Sequence, residues 1–209
     1  MNRQFFKLAF RHFSKNRSFI IFNMAGLTSA IGAFILISLY VQYEMSWDQF
    51  NEKHKQIYRI EPELHLANKS KIQRLPQAPW PTGVELKEQY SEITDYAALA
   101  DTWGQYMSVS KEKEPVYEEQ GYYANNKIFD LFTLRFLRGS PDNALSEPHT
   151  MVLTQKLAEK YFPKKNPIGK TILIDNKHTY RVTGVIETPP SNFHLEPSYF
   201  LSVASFHPN

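Results

Sequence analysis

The tripeptide Gly169-Lys170-Thr171 is the part of the sequence that most resembles a catalytic motif, because it matches the end of a phosphate-binding loop. That loop also requires a glycine five positions before Gly169, where this chain has Lys164, and Pro167 lies between them. The tripeptide is predicted to follow a helix and to lead into a strand, the reverse of the order that a phosphate site requires. The sequence therefore argues against nucleotide binding here.

The other reactive residue types form no pattern that is typical of an enzyme. No two of the seven histidines stand at the i,i+4 spacing, so the HExxH metal motif is absent, and the chain has no Gly-x-Ser-x-Gly sequence. The absence of cysteine excludes disulfides, thiolate nucleophiles and cysteine-ligated metals. We therefore predict no catalytic, cofactor-binding or metal-ligating residue and no cofactor, and we expect that the chain is not an enzyme.

Length and charge indicate a folded protein with a local basic region. The 209 residues include 24 Lys and Arg and 21 Asp and Glu, and they are enough for a substantial core. Five of the basic residues and no acid lie in residues 1–17, which leaves 19 basic against 21 acidic residues elsewhere. A nearly neutral body argues against a nucleic-acid-binding surface. The basic region instead suits an anionic lipid surface.

Residues 19–41 are 23 consecutive residues without a charge, long enough to cross a bilayer core of roughly 30 Å. We predict a transmembrane helix over 18–43. Because the basic residues precede it, the N-terminus is expected in the cytoplasm and the rest of the chain outside. A buried core helix needs fewer apolar residues, and a cleaved signal peptide is disfavoured because the apolar run continues eleven residues past Ala30.

Residues 1–17 are predicted to form a basic amphipathic cytoplasmic arm that lies on the membrane surface. Basic residues recur every fourth position and phenylalanines occupy the other side, the pattern of an interfacial helix. Ordinary topogenic charge is the alternative. The basic residues are Arg3, Lys7, Arg11 and Lys15, and the phenylalanines are Phe6, Phe10 and Phe13.

The helix is predicted to continue beyond the membrane as a stalk over 44–58. Trp47, Phe50, His54 and Ile57 follow the 3-4-3 spacing of one helix face, and no glycine or proline occurs in residues 33–61. The apolar stripe of this stalk needs a partner. Residues 59–209 are predicted to be a mixed α+β domain, with a helix over 83–90, a helix capped by Thr154 and a hairpin over 171–186.

Several short sequences occur in a characteristic order along the chain. They are WDQF (47–50), QIYRI (56–60), ALSEP (144–148), AEKYF (158–162), NPIGK (166–170) and YRVTGVI (180–186). Taken together, they resemble the MacB/FtsX-type ABC transporter permeases. The resemblance is to their first transmembrane helix and MacB-like periplasmic core domain, and it covers essentially the whole chain. Phe162 is followed by Pro163 where the family usually has glycine. The family continues into three further spans after a domain of this kind, so the chain is interpreted as a truncated permease.

The resemblance implies a non-catalytic permease subunit in the cell inner membrane. A separate ABC ATPase subunit would hydrolyse ATP, and mechanotransmission would couple hydrolysis to movement of the periplasmic domain, for efflux or for lipoprotein or peptide export. It also implies a second permease copy, contact with membrane lipid and a periplasmic partner, while the charge distribution predicts no nucleic-acid partner. A single-span, membrane-tethered periplasmic binding or sensor module without transport activity remains the alternative.

Overall fold

The computed structural model describes residues 17–65, 72–75 and 77–206. The chain divides into two compact units, one that ends at Trp47 and one that begins at Asp48. The predicted amphipathic arm over 1–17 lies outside the described residues, apart from Arg17.

Where the structure describes the first unit, from residue 17 onward, it forms one long helix, α1, over Arg17–Glu44. Its 28 residues correspond to about 42 Å at 1.5 Å per residue, more than the hydrocarbon core of a bilayer. None of its residues is buried against protein. It is the one helix in the described ranges that is long and apolar enough to cross a membrane. The prediction of an N-terminal apolar helix is confirmed.

The predicted helical stalk over 44–58 is not formed. Helix α1 ends at Glu44, and residues 45–56 form a series of turns. Asp48 has a φ of 59°, in the left-handed region, and a right-handed helix cannot continue through such a residue. Tertiary contacts of Asp48, described below, replace the helical hydrogen bonds that the periodicity predicted.

The second unit contains a two-stranded and a nine-stranded sheet. In the smaller sheet β1 (Glu63–His65) pairs antiparallel with β2 (Ile72–Arg74). The strands of the larger sheet are β3 (Leu99–Asp101), β4 (Gln105–Ser108), β5 (Val116–Glu118), β6 (Gly121–Ala124), β7 (Phe136–Arg138), β8 (Thr150–Thr154), β9 (Thr171–Ile174), β10 (His178–Ile186) and β11 (Tyr199–Ser202).

The larger sheet is mixed, in the order β3-β6-β11-β8-β10-β9-β4-β5, and β7 also pairs with β10. The pairs β6–β11 and β8–β10 are parallel, and the other pairs are antiparallel. In the described part of this unit three short α-helices accompany it: α2 (Thr82–Gln89), α3 (Ile128–Leu131) and α4 (Gln155–Tyr161). Two 3-10 helices span Pro141–Asn143 and Val203–Ser205. The prediction of an α+β fold is confirmed, as are the helix near 83–90 and the β9–β10 hairpin.

The two faces of the large sheet are covered by two separate hydrophobic clusters. Alternation along β8 places Met151 and Leu153 in the first cluster and Val152 in the second, because successive strand residues point to opposite faces. In β11, Phe200 likewise belongs to the second cluster. Helix α4 contributes to the first cluster, whereas α3 and the loop around Phe193 contribute to the second. The candidate site described below lies on the second face.

Thr154 ends β8 and caps α4, as the sequence predicts. Its hydroxyl accepts a hydrogen bond from the Leu157 N–H at 3.4 Å and donates one to the Ser198 carbonyl at 3.1 Å. We expect Thr154→Val to lower the free energy of unfolding by about 1–2 kcal/mol, because valine keeps the shape and removes both hydrogen bonds. Urea unfolding of the full chain in detergent measures this loss. Thr154→Ser, which keeps the hydroxyl, should recover most of the stability, and equal losses in the two variants would contradict the capping role.

Candidate functional site

The candidate site is formed by residues 48–54, here called the docking segment, which open the second unit. In sequence only three residues, 45–47, separate this segment from the end of α1. The docking segment is bound to two regions of the second unit. The first is residues 130–133, which comprise the end of α3 and the start of the loop after it and are here called the loop 130–133, and the second is the loop of residues 192–194 before β11. The connection from the apolar helix therefore enters the folded unit through a fixed segment.

Asp48 joins the docking segment to the loop 192–194. Its N–H donates to the Asn192 carbonyl at 2.9 Å. Its carboxylate accepts the His194 N–H at 3.2 Å and contacts the His194 Nδ1 at 2.6 Å. These contacts hold Asp48 in its left-handed conformation and bind the segment through both backbone and side chain.

Asn51 joins the docking segment to the loop 130–133. It is 1% exposed, and its Oδ1 accepts the Thr133 N–H at 3.0 Å. Its Nδ2 donates to the Asp48 carbonyl at 3.2 Å, which closes the turn within the segment. A buried amide of this kind must have both its donor and its acceptor satisfied, so the geometry around Asn51 is specific.

Two further hydrogen bonds extend the contact with the same loop. The Glu52 N–H donates to the Thr133 hydroxyl at 2.9 Å, and the Lys53 ammonium donates to the Asp130 carbonyl at 2.7 Å. The Asn51 carbonyl contacts the His54 Nδ1 at 2.9 Å. The segment is thus held by hydrogen bonds along most of its length.

Aromatic packing lies beneath these hydrogen bonds. Phe50 meets the fully buried Phe193 edge to face, with ring centroids 5.1 Å apart. Phe132 packs against Phe193 at 5.3 Å and against the His194 ring at 6.1 Å. All three phenylalanines belong to the second hydrophobic cluster, so the docking segment is part of the core of the second unit.

A chain of charges connects the loop 130–133 to α2. The Asp95 carboxylate lies 3.0 Å from both Lys87 Nζ and Lys127 Nζ, and Lys127 lies 3.0 Å from the Asp130 carboxylate. Partial burial would raise the pKa of Asp95, but hydrogen bonds from Lys127, Lys87 and the Tyr96 N–H outweigh it and lower the pKa to about 2. Asp95 therefore remains ionised over the physiological range.

The lowered pKa of Asp95 makes stability depend on pH in acid. A carboxyl group whose pKa is lower in the folded state stabilises the fold above its unfolded value, and this stabilisation is lost as the pH falls through the folded value. We expect the Asp95 contribution to fade between pH 3.8 and about 2. Unfolding of the full chain against pH, compared with Asp95→Asn, measures it. The difference between the two proteins should shrink across this interval, and a constant difference would contradict the assignment.

The acidic pair Glu118-Glu119 lies in a different part of the second unit, along a cleft of about 380 Å³. The Glu118 carboxylate accepts hydrogen bonds from the Lys160 ammonium at 2.6 Å and the Tyr161 hydroxyl at 2.7 Å. Burial, and then the contact with Glu118, raise the pKa of Tyr161, so its hydroxyl stays protonated as a donor. The cleft wall is an ion-paired network that stabilises the packing of α4 against the sheet.

The phosphate-loop fragment lies where the sequence predicts. Gly169 and Lys170 form the turn that precedes β9, and Gly169 has a φ of 78° that favours glycine. The Gly169 N–H donates to the Val182 carbonyl at 2.8 Å, so this N–H is already used in a hydrogen bond within the fold. Among the described residues no group of three or more His, Asp or Glu side chains is arranged to hold a metal ion.

Sequence reasoning missed the contacts that define the docking segment. Asp48 and His194 are 146 positions apart, and Asn51 and Thr133 are 82 apart. The periodicity of Trp47, Phe50, His54 and Ile57 indicated an apolar stripe in need of a partner, and Phe50 does find one in Phe193. A signal of the turn existed in the closely spaced polar residues Asp48 and Asn51, which hydrogen-bond backbone groups within turns.

The comparison with protein families gives a match that covers nearly the whole chain. A family model described as the MacB-like periplasmic core domain matches residues 20–209. The comparison with curated proteins finds no match.

Solved structures give matches at low sequence identity. A domain of a candidate permease protein from Porphyromonas gingivalis matches with a TM-score of 0.57 and 16% identity, over 70% of this chain and 62% of that chain. The periplasmic region of MacB from Actinobacillus actinomycetemcomitans matches with a TM-score of 0.45 and 18% identity, over 58% and 53% of the two chains. This chain therefore spans less than two thirds of each of these structures. The first likeness shows a shared fold.

Proposed function

The chain belongs to the family of MacB-like periplasmic core domains, and on that premise we propose that it acts as the non-catalytic permease subunit of an ABC transporter. Helix α1 anchors it in the cell inner membrane, with the N-terminus in the cytoplasm and the second unit in the periplasm. A separate ABC ATPase subunit hydrolyses ATP. A second copy of the permease completes the membrane part, and lipid surrounds α1.

The docking segment is the observation that supports a mechanical role. A connection that transmits movement must be stiff at both ends, and the segment is fixed by hydrogen bonds from Asp48, Asn51, Glu52 and Lys53 and by the packing of Phe50. Because three residues separate α1 from Asp48, a displacement of the end of α1 is passed over a short length of chain. In this proposal the docking segment transmits the movement, a role for which the sequence predicted a continuous helical stalk.

The movement serves export from the periplasmic side. Nucleotide-driven rearrangement of the membrane helices displaces the docking segment, and the segment carries the loops 130–133 and 192–194 with it. The second unit then changes its contacts with cargo or with a periplasmic partner. Efflux of small molecules and export of lipoproteins or peptides both use a displacement of this kind.

A membrane-tethered binding or sensor module without transport activity is the alternative function. A tether needs only to hold the second unit near the membrane, so it tolerates any flexible connection between the two units. The many contacts of the docking segment favour the permease function, because a tether does not require the segment after α1 to be held in place.

An insertion experiment distinguishes the two functions. Four glycine and serine residues are inserted between Ser46 and Trp47 of the full protein, reconstituted with its ATPase subunit in nanodiscs. Because the chain has no cysteine, single cysteines at Tyr40 and Lys111 accept spin labels selectively. We expect the distance between the labels to differ between the ATP–vanadate and ADP states before insertion, and this difference to disappear after it.

The control places the same four residues between Lys111 and Glu112, in the turn between β4 and β5, with the second label moved to Lys156. This insertion should leave the nucleotide-dependent difference intact. A difference that survives insertion at Ser46, or that is absent from the parent protein, would support a tether and contradict mechanical coupling.

A further inference from the structure

Three aromatic side chains are exposed together at the β4–β5 edge of the large sheet. Trp103 is 77% exposed, and Tyr106 and Tyr117 are about half exposed. The two tyrosines face each other across the strand pair, with ring centroids 5.3 Å apart. We call Trp103, Tyr106 and Tyr117 the aromatic patch. Exposed aromatic groups of this kind are typical of binding surfaces, because they are enriched at interface hot spots.

Trp103 is held in a conformation that costs free energy. Its φ is 58°, which is rare for a bulky residue, and the following Gly104 has a φ of 77°. The Trp103 N–H donates to the Asp101 carboxylate at 2.6 Å, and its carbonyl accepts the Tyr117 hydroxyl at 3.2 Å. Since the indole ring itself remains exposed, this strained turn does not serve to bury it.

Gly104 allows the close approach that fixes the patch. A Cβ atom at this position would lie within 2.2–2.7 Å of the Tyr117 ring, so no larger residue fits without displacing that ring. The Tyr117 ring lies directly over the turn and its hydroxyl reaches Trp103. The Trp103 backbone and the Tyr117 side chain are thus held in a fixed arrangement, which lowers the entropy cost of binding at this part of the patch.

Two carboxylates flank the aromatic patch. Asp101 accepts the Trp103 N–H, and Asp175 accepts the Tyr106 N–H at 3.1 Å, so each lies beside an aromatic residue. Within the described ranges no ion pair is formed by either carboxylate. The turn that contains Asp175 also contains the cation Lys177. Asp101, Asp175 and Lys177 together therefore carry a net negative charge.

We propose that the aromatic patch binds a basic segment of a partner protein, with arginine or lysine side chains over the aromatic faces and beside Asp101 and Asp175. The faces of Trp and Tyr rings attract cations, and the carboxylates supply charge complementarity. The same negative rim opposes an anionic lipid surface. It also opposes a second copy of the patch, because like charges would then meet.

Fluorine NMR of the full chain in detergent tests this proposal. The protein is labelled with 5-fluorotryptophan, which gives signals for Trp47, Trp80 and Trp103 that are assigned with Trp→Phe variants. It is titrated with a capped eight-residue peptide of alternating arginine and serine. We expect a saturable shift of the Trp103 signal. The signal of Trp80, which is half exposed, should stay unchanged.

Matched variants and probes make the result decisive. Asp101→Asn and Asp175→Asn keep the oxygens that accept the backbone N–H groups and remove only the charges, and we expect the double variant to bind roughly tenfold more weakly. A peptide of alternating glutamate and serine should cause no shift. Equal shifts with both peptides, or no shift with either, would overturn the proposal. So would a Trp103 signal that responds to anionic lipid in nanodiscs but not to the arginine peptide.

Discussion

We expect Asn51→Leu to lower the free energy of unfolding of the second unit by about 1–3 kcal/mol, although leucine has a similar volume and is more apolar. The loss arises because the Thr133 N–H loses its partner at a side chain that is 1% exposed, and because the Asp48 carbonyl keeps only the bond from the Asn51 N–H. Burial of additional apolar atoms does not compensate for polar groups that are left without hydrogen bonds. Urea unfolding of the full chain in detergent, followed by tryptophan fluorescence, measures the change.

Hydrogen exchange tests whether the loss is located at the docking segment. The amides of Thr133 and Glu52 donate to Asn51 and to Thr133 respectively, so both should exchange faster in Asn51→Leu, while amides in the middle of β8 keep their protection. Asn143→Leu, at an exposed asparagine, is the matched control and should change stability by no more than about 0.5 kcal/mol. Equal effects of the two substitutions, or unchanged exchange at Thr133, would show that Asn51 does not fix the segment.

The parts of the fold that the sequence predicts are those governed by local rules. Thr154 caps α4 because its hydroxyl reaches an N–H three residues ahead. Asp175 and Asn176 form the β9–β10 turn because both residue types tolerate positive φ, here 50° and 57°. The order of strands in the large sheet depends on pairings between distant parts of the chain, such as β6 with β11, which local patterns do not specify.

The docking segment shows where periodicity fails. The spacing of Phe50 and His54 fits a helix, but the same residues are used in a turn, because Asp48 gains contacts with Asn192 and His194 that a helix would not allow. Tertiary contacts of this kind outweigh intrinsic helix propensities of less than about 1 kcal/mol per residue. The apolar character of position 50 was therefore informative about burial but not about backbone conformation.

The largest loss of stability is expected from Phe193→Ala, at about 3–5 kcal/mol. Phe193 is fully buried, and its ring lies between Phe50 of the docking segment and Phe132 of the loop after α3. Truncation removes apolar contacts with both and leaves a cavity that the surrounding sheet cannot fill, since protein interiors are close-packed. Urea unfolding of the full chain measures the loss. Tyr58→Ala, at a ring that is 84% exposed, is the control and should have little effect.

A double-mutant cycle then separates the docking contact from general core packing. Phe50→Leu and Phe193→Leu are each mild enough to leave the protein folded, and an edge-to-face pair at 5.1 Å should give a coupling free energy of about 0.5–1.5 kcal/mol. Strictly additive effects would mean that Phe50 contributes only its own burial. A measurable coupling means that the docking segment and the loop 192–194 are stabilised together, as a connection that transmits displacement into the second unit requires.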